Sequence, residues 1–176
     1  MRAALFRNLG DEKLEVVDDL EIGAVGPTDV RVRIHATGVC HSDVHGLEGT
    51  LPVAPPAVLG HEGAGEVLEV GDAVQGVEVG DHVVIAWSPP CGRCVACVDH
   101  KQPHLCVEIQ FKAAGTPHFT QGGQPVFSFI GAGTFAEEII VAQEACIPID
   151  RDVPWDIASL IGCGVTTGVG AAINTA

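Results

Sequence analysis

The sequence predicts a mainly β protein with a few short helices, and three observations carry that prediction. Its 176 residues include 22 glycines and 11 prolines, a density of turn formers that suits short strands better than a helical bundle. In DVRVRIHATGV, Val30, Val32 and Ile34 alternate with Arg31 and Arg33, the period of two expected of a half-exposed strand. The chain is 47% hydrophobic but lacks Tyr and has few aromatics, so Val, Ile, Leu and Ala must fill an ordinary globular core.

The remaining elements follow in chain order. CHSDVHGLEG, residues 40 to 49, reads as a short helix that Ser42 or Asp43 could cap. LPVAPPAVLG is extended, because Pro52, Pro55 and Pro56 forbid a regular helix. AGEVLEV (64–70) and DHVVIAW (81–87) are two more strands, with the turn residues of GDAVQGVEVGD between them, and TFAEEIIVA (134–142) is a further strand. Pro154, just after Asp152, opens a helix through WDIASLIGC. From Ile157 to Ala176 no residue is charged, yet four glycines, three threonines, Ser159 and Asn174 make the stretch too polar for a membrane span. A buried helix and loop is expected there.

Charge excludes one class of partner. The formal net charge is −14, and the nine Lys and Arg are scattered with no basic run to follow a phosphate backbone, so nucleic acid is not expected to bind. The first residues have too short an apolar run for a signal peptide, which points to the cytoplasm. Seven cysteines in a cytoplasmic chain indicate metal or thiol chemistry rather than a disulfide framework.

Four of those cysteines are clustered. CGRCVACVDHKQPHLC places Cys91, Cys94 and Cys97 at equal spacing around a tight loop, and Cys106 returns from beyond it. Cys-x-x-Cys alone also suits a redox dithiol, but three equally spaced thiols plus a fourth favour a closed, tetrahedral, structural zinc site. Its job would be to order a lobe with too little core of its own. His100 and His104 lie within the loop and are expected to be exposed bystanders.

Three cysteines remain: Cys40, Cys146 and Cys163. Cys40, Cys163 and the His61 of GHEGAGEVLEVGDAV could form a three-ligand site with one open position, although spacing alone does not establish that they meet. In that stretch Gly60, Gly63, Gly65 and Gly71 surround a single His-Glu pair, a density a plain strand would not need.

The order of CHSDVH, Gly60-His61-Glu62 with Gly65, Gly71 and Val74, the four-cysteine run and GCGVTTGVG resembles the zinc-dependent alcohol dehydrogenases of the medium-chain dehydrogenase/reductase superfamily, from one end of the chain to the other. The resemblance implies a GroES-like catalytic domain over residues 1–153, with its zinc lobe at about 88–108. Residues 154–176 would be a helix and loop leading to a Rossmann domain missing from this chain. It implies two zinc ions, catalytic at Cys40, His61 and Cys163 and structural at Cys91, Cys94, Cys97 and Cys106. It also implies NAD or NADP as cofactor and a small alcohol or aldehyde as substrate. A homo-oligomer is expected of the full-length form.

Individual roles follow from the same resemblance. Glu62 matches the carboxylate behind the metal and Asp43 the one that orients the ligand histidine. Ser42 and His45 match the proton relay, His41 a contact to the cofactor pyrophosphate, and Thr167 a residue against the nicotinamide. Trp87 and Phe129 match substrate-pocket walls, with Leu51 at the rim. Between Cys97 and Cys106 there is one residue more than the family usually shows. The related thiol-adduct formaldehyde dehydrogenases share GHEGAG, but typically carry an acidic residue where Leu51 stands and a Tyr where His45 stands. The sequence reading therefore ranks that activity second. A non-catalytic zinc-binding GroES-like module is the reading from another class.

Overall fold

A computed structural model of the chain describes residues 1–175. Its strands are β1 (Ala3–Phe6), β2 (Glu15–Val17), β3 (Glu21–Ile22) and β4 (Asp29–Gly38); helix α1 (His41–Glu48) follows. Next come β5 (Ala57–Val58), β6 (Glu62–Val70), β7 (His82–Ile85), and helices α2 (Val95–Val98) and α3 (Glu108–Ala114). After β8 (Phe119–Gln121), β9 (Gln124–Ser128), β10 (Glu138–Ala142) and β11 (Cys146–Ile149), the chain ends in α4 (Trp155–Leu160), a π turn (Ile161–Val165) and α5 (Thr166–Asn174).

The strands form two sheets, ordered β2-β1-β5-β9-β8-β3 and β10-β4-β6-β7-β11. All pairings are antiparallel except β5 with β9. Alternation explains the main core: Val30 and Val32 of β4 turn inward with Val67, Val83, Ile85, Ile139 and Val141. The first sheet adds Leu5, Val58, Phe119 and Val126 to the same cluster. On the other face of β4, Arg31 donates to Glu138 at 2.7 Å across the pair with β10. Mainly β with short helices describes the molecule.

Register is what builds the site. β4 and β6 are antiparallel, and Gly38 at the end of β4 faces Glu62 at the start of β6. Cys40, two residues past one strand, is thereby brought beside His61, one residue before the other. Glycine makes this close approach possible: a side chain at Gly65 would meet the Arg33 carbonyl oxygen at 2.0 Å. Gly60 has φ +89°, a left-handed conformation that glycine adopts without strain, and a side chain there would strike Thr134 and Phe135 at 2.5 Å.

The sequence reading needs two corrections. Neither Ser42 nor Asp43 is the N-terminal cap of α1; Cys40 holds that position, and Asp43 reaches back to accept its N–H at 3.0 Å. The carboxylate thus satisfies the entrance of the helix from inside it. The terminal stretch is neither buried nor a loop, but helical from Trp155 to Asn174. Only its first turns pack on β4 and β6; Ala158 and Ser159 are buried, whereas Val165, Val169 and Ile173 are exposed. Uncharged sequence predicted burial, but the described residues offer α5 no apolar surface to lie against. By length and composition the 20 residues could cross a membrane, with mean hydropathy 1.5.

Trp155 anchors the start of this helix. Its ring stacks on His35 (centroids 4.6 Å apart) and packs against His82 (4.2 Å), between side chains of β4 and β7.

Candidate metal centres

The four-cysteine run folds as a knuckle. Backbone N–H groups of Arg93 and Cys94 donate to Cys91 Sγ at 3.5 and 3.3 Å, and Cys91 N–H donates to Cys106 Sγ at 3.3 Å. Cys94 Sγ lies 3.6 Å from that of Cys97 and 3.8 Å from that of Cys106. Four sulfurs at zinc distance stand about 3.8 Å apart along tetrahedral edges, whereas a disulfide would bring a pair to about 2 Å. All four ligand atoms lie within 4.8 Å of one another, and every cysteine in the chain is free. The backbone donor at Cys91 pulls the Cys106 thiol down to about 7 in the metal-free protein. His100 and His104 stand exposed outside this cluster.

The second cluster joins Cys40, His61, Glu62 and Cys163, again with ligand atoms within 4.8 Å of one another. It draws on the end of β4, the start of β6 and the π turn. Two thiols and an imidazole are a donor set suited to zinc, and three such protein ligands leave a fourth position that can exchange. The spacing and chemistry of both clusters therefore fit the metal the family implies.

Asp43 organises this site. Its Oδ1 accepts the Gly60 N–H at 3.0 Å and stands 3.2 Å from His61 Nδ1, while Oδ2 takes the Cys40 N–H. With Nδ1 engaged, Nε2 is the His61 nitrogen left to ligate. Burial pulls the His61 imidazole down, but Asp43 and Cys40 outweigh it and raise its pKa above the ordinary value. Burial opposes the Cys40 thiolate, yet Ser42 and His61 hold that thiol below its usual range. Removal from water, with Cys40 and Glu62 nearby, pushes the Cys163 thiol up to about 12. The Cys40 thiol is thus readied before a metal arrives, whereas the imidazole, favoured in its protonated form, and the second thiol must give up their protons to it.

The other residues singled out in the sequence are distributed as follows. Ser42 Oγ lies 3.6 Å from Cys40 Sγ, and the rings of exposed His41 and half-buried His45 meet edge to face at 4.6 Å on α1. Trp87 is 36% exposed with its ring 6.4 Å from that of His61, so it borders the site from solvent. Phe129 is wholly buried against Leu59 and Phe6, but also faces the His61 ring at 5.9 Å. It is both core and wall. Leu51 packs on the edge of the same cluster. Thr167 is exposed on α5.

Glu62, expected behind the metal, has a carboxylate oxygen within 4.8 Å of the ligand atoms of Cys40, His61 and Cys163, and its Oε1 accepts the Gly164 N–H at 3.1 Å. The π turn that carries Cys163 was not foreseen; its only sequence trace is the glycine pair flanking that cysteine.

Comparison with known proteins agrees with this arrangement. The alcohol dehydrogenase GroES-like domain family matches residues 26–151, and the chain belongs to it. Among curated proteins, alcohol dehydrogenase class-3 of Drosophila melanogaster is 40% identical over 168 residues, covering 92% of this chain and 44% of that protein. S-(hydroxymethyl)glutathione dehydrogenase of Paracoccus denitrificans is 40% identical over 185 residues, covering 99% and 48%. Among solved structures, an alcohol dehydrogenase zinc-binding domain protein from Burkholderia ambifaria superposes with a TM-score of 0.88 at 32% identity, covering 99% of this chain and 48% of that one. Benzyl alcohol dehydrogenase from Acinetobacter calcoaceticus gives 0.83 at 31%, covering 98% and 47%. The chain spans about half the length of the relatives it matches.

Proposed function

We propose that this chain is the metal-binding catalytic portion of a zinc- and NAD(P)-dependent dehydrogenase that interconverts an alcohol with an aldehyde or ketone. The observation that carries the reading is the meeting of Cys40, His61 and Cys163, with Glu62 beside them, next to a separate closed four-cysteine cluster. Zinc at the mixed site would act as a Lewis acid that makes an alcohol hydroxyl acidic near neutral pH, and a nicotinamide would take up the hydride.

The chain's own residues supply the remainder. Asp43 fixes the tautomer and direction of His61. Ser42 Oγ, beside Cys40, receives the hydroxyl proton, and His45, three residues along the helix, is the base nearer solvent. Trp87 and Phe129 shield the ring side of His61 from water, with Leu51 behind Phe129. His41 and Thr167, both exposed, are assigned to the nicotinamide cofactor. With a formal net charge of −14 the chain is not expected to bind nucleic acid, its free thiols suit the cytoplasm, and the complete protein is expected to be a homo-oligomer outside the membrane.

A second reading has specific support. Several relatives at about 40% identity are named as S-(hydroxymethyl)glutathione dehydrogenases, which makes a formaldehyde–thiol adduct an equally fitting substrate. Leu51 and His45 remain the residues that depart from that group's usual pattern.

Metal analysis tests the core of the proposal. The chain should bind two zinc ions, and Cys40→Ala or Cys163→Ala should remove one while the four-cysteine ion stays. One ion that is indifferent to both changes would leave only a zinc module. Comparing kcat/KM of the complete enzyme for a primary alcohol and for S-hydroxymethylglutathione separates the two substrate readings.

A further inference from the structure

We propose that Thr166 and Gly162 are positioning residues that hold the terminal helix in a π turn and so aim the Cys163 thiol at the metal. The inference rests on the reading that Cys40, His61 and Cys163 share one ion.

A π turn bonds i to i+5 and fits one extra residue into a helix. Each residue of a regular helix turns about 100° around the axis, so closing the π turn would swing Cys163 or everything beyond it by about that angle. A thiol displaced in that way no longer faces Cys40 and His61. Something must therefore stabilise a turn that helices rarely adopt.

Three contacts do so here. Thr166 Oγ1 donates to the Ile161 carbonyl at 2.5 Å, five residues back. In a regular helix a threonine hydroxyl reaches the carbonyl three or four residues back, so this bond belongs to the widened turn alone. Gly162 lies flat on β7; a side chain there would stand 2.3 Å from the Ile85 carbonyl oxygen. Toward the neighbouring strand β6, the Gly164 N–H donates to Glu62. Thr166 touches none of the ligand atoms itself. It acts through the backbone on which Cys163 is mounted.

The test uses Thr166→Val, Thr166→Ser and, from the sheet side, Gly162→Ala in the 176-residue chain. Zinc affinity is read by chelator competition, and the mixed site by the thiolate-to-metal bands of bound Co(II). In Thr166→Val the affinity of the mixed site should fall about 10-fold or more and the Co(II) bands should shift, while the four-cysteine ion is retained. Thr166→Ser should restore both, and Gly162→Ala should reproduce the defect. Wild-type affinity and spectrum in Thr166→Val would overturn the proposal. So would a defect that serine does not rescue, or equal loss of both ions, because each points to general unfolding. Only one ion in the wild-type chain would defeat the shared-site reading and this inference with it.

Discussion

Asp43 Oδ1 stands 3.2 Å from His61 Nδ1, and both side chains are buried almost completely. The same carboxylate binds the N–H groups of Gly60 and Cys40, so one side chain fixes two ligands from different elements. Asp43→Asn should weaken zinc at the mixed site by about 10- to 100-fold and leave the four-cysteine ion in place. Asp43→Ala should also destabilise the fold, since each buried N–H left unpaired costs about 1–3 kcal/mol. Zinc competition and urea unfolding measure the two effects; unchanged affinity in both variants would remove Asp43 from the site.

Cys146 is distinct from the six other cysteines. It lies in the main core at 3% exposure, and burial pushes its thiol up to about 12. At pH 8 it is neither accessible nor ionised. With metal removed by a chelator, iodoacetamide should label the half-exposed Cys40, whose thiol is held below its usual range, well before the buried Cys146 of the folded chain. Peptide mapping that finds Cys146 labelled as fast as Cys40 would contradict its placement.

His118 links stability to acid. Burial lowers its imidazole below the ordinary 6.5, although Asp29 partly offsets the effect. The unfolded chain therefore binds this proton more readily than the folded one. Stability from the neutral ring is complete above the unfolded value and falls as pH drops through it, levelling off below the depressed folded value. His118→Gln should lose less stability than wild type between pH 7 and pH 5, as read by thermal unfolding with metal held constant. Parallel curves for the two proteins would refute this.

The two clusters were legible in the sequence to different degrees. Cys91, Cys94, Cys97 and Cys106 lie within one short run, so the loop that bears them also brings them together, and their spacing reports the geometry directly. Cys40, His61 and Cys163 could be named as a ligand set only through a resemblance, because nothing local in any of the three stretches refers to the others. β4 was visible in its alternation. The caps and the terminal helix were judged less well, since each depends on what the segment touches: Asp43 reaches Gly60, and α5 has no apolar neighbour among the described residues.

By itself, then, the sequence determined the residue chemistry: soft thiol donors, one histidine followed by a carboxylate, inward-facing aliphatic strands, and glycines where backbones must touch. Only the tertiary structure decided that Gly38 pairs with Glu62, that Glu62 reaches Gly164 across 102 positions, and that a widened helical turn presents Cys163. The physical reason is that side-chain chemistry and strand period are properties of neighbouring residues. Sheet register and helix placement arise from packing among residues far apart in the chain, and the mixed metal site exists only where those long-range contacts coincide.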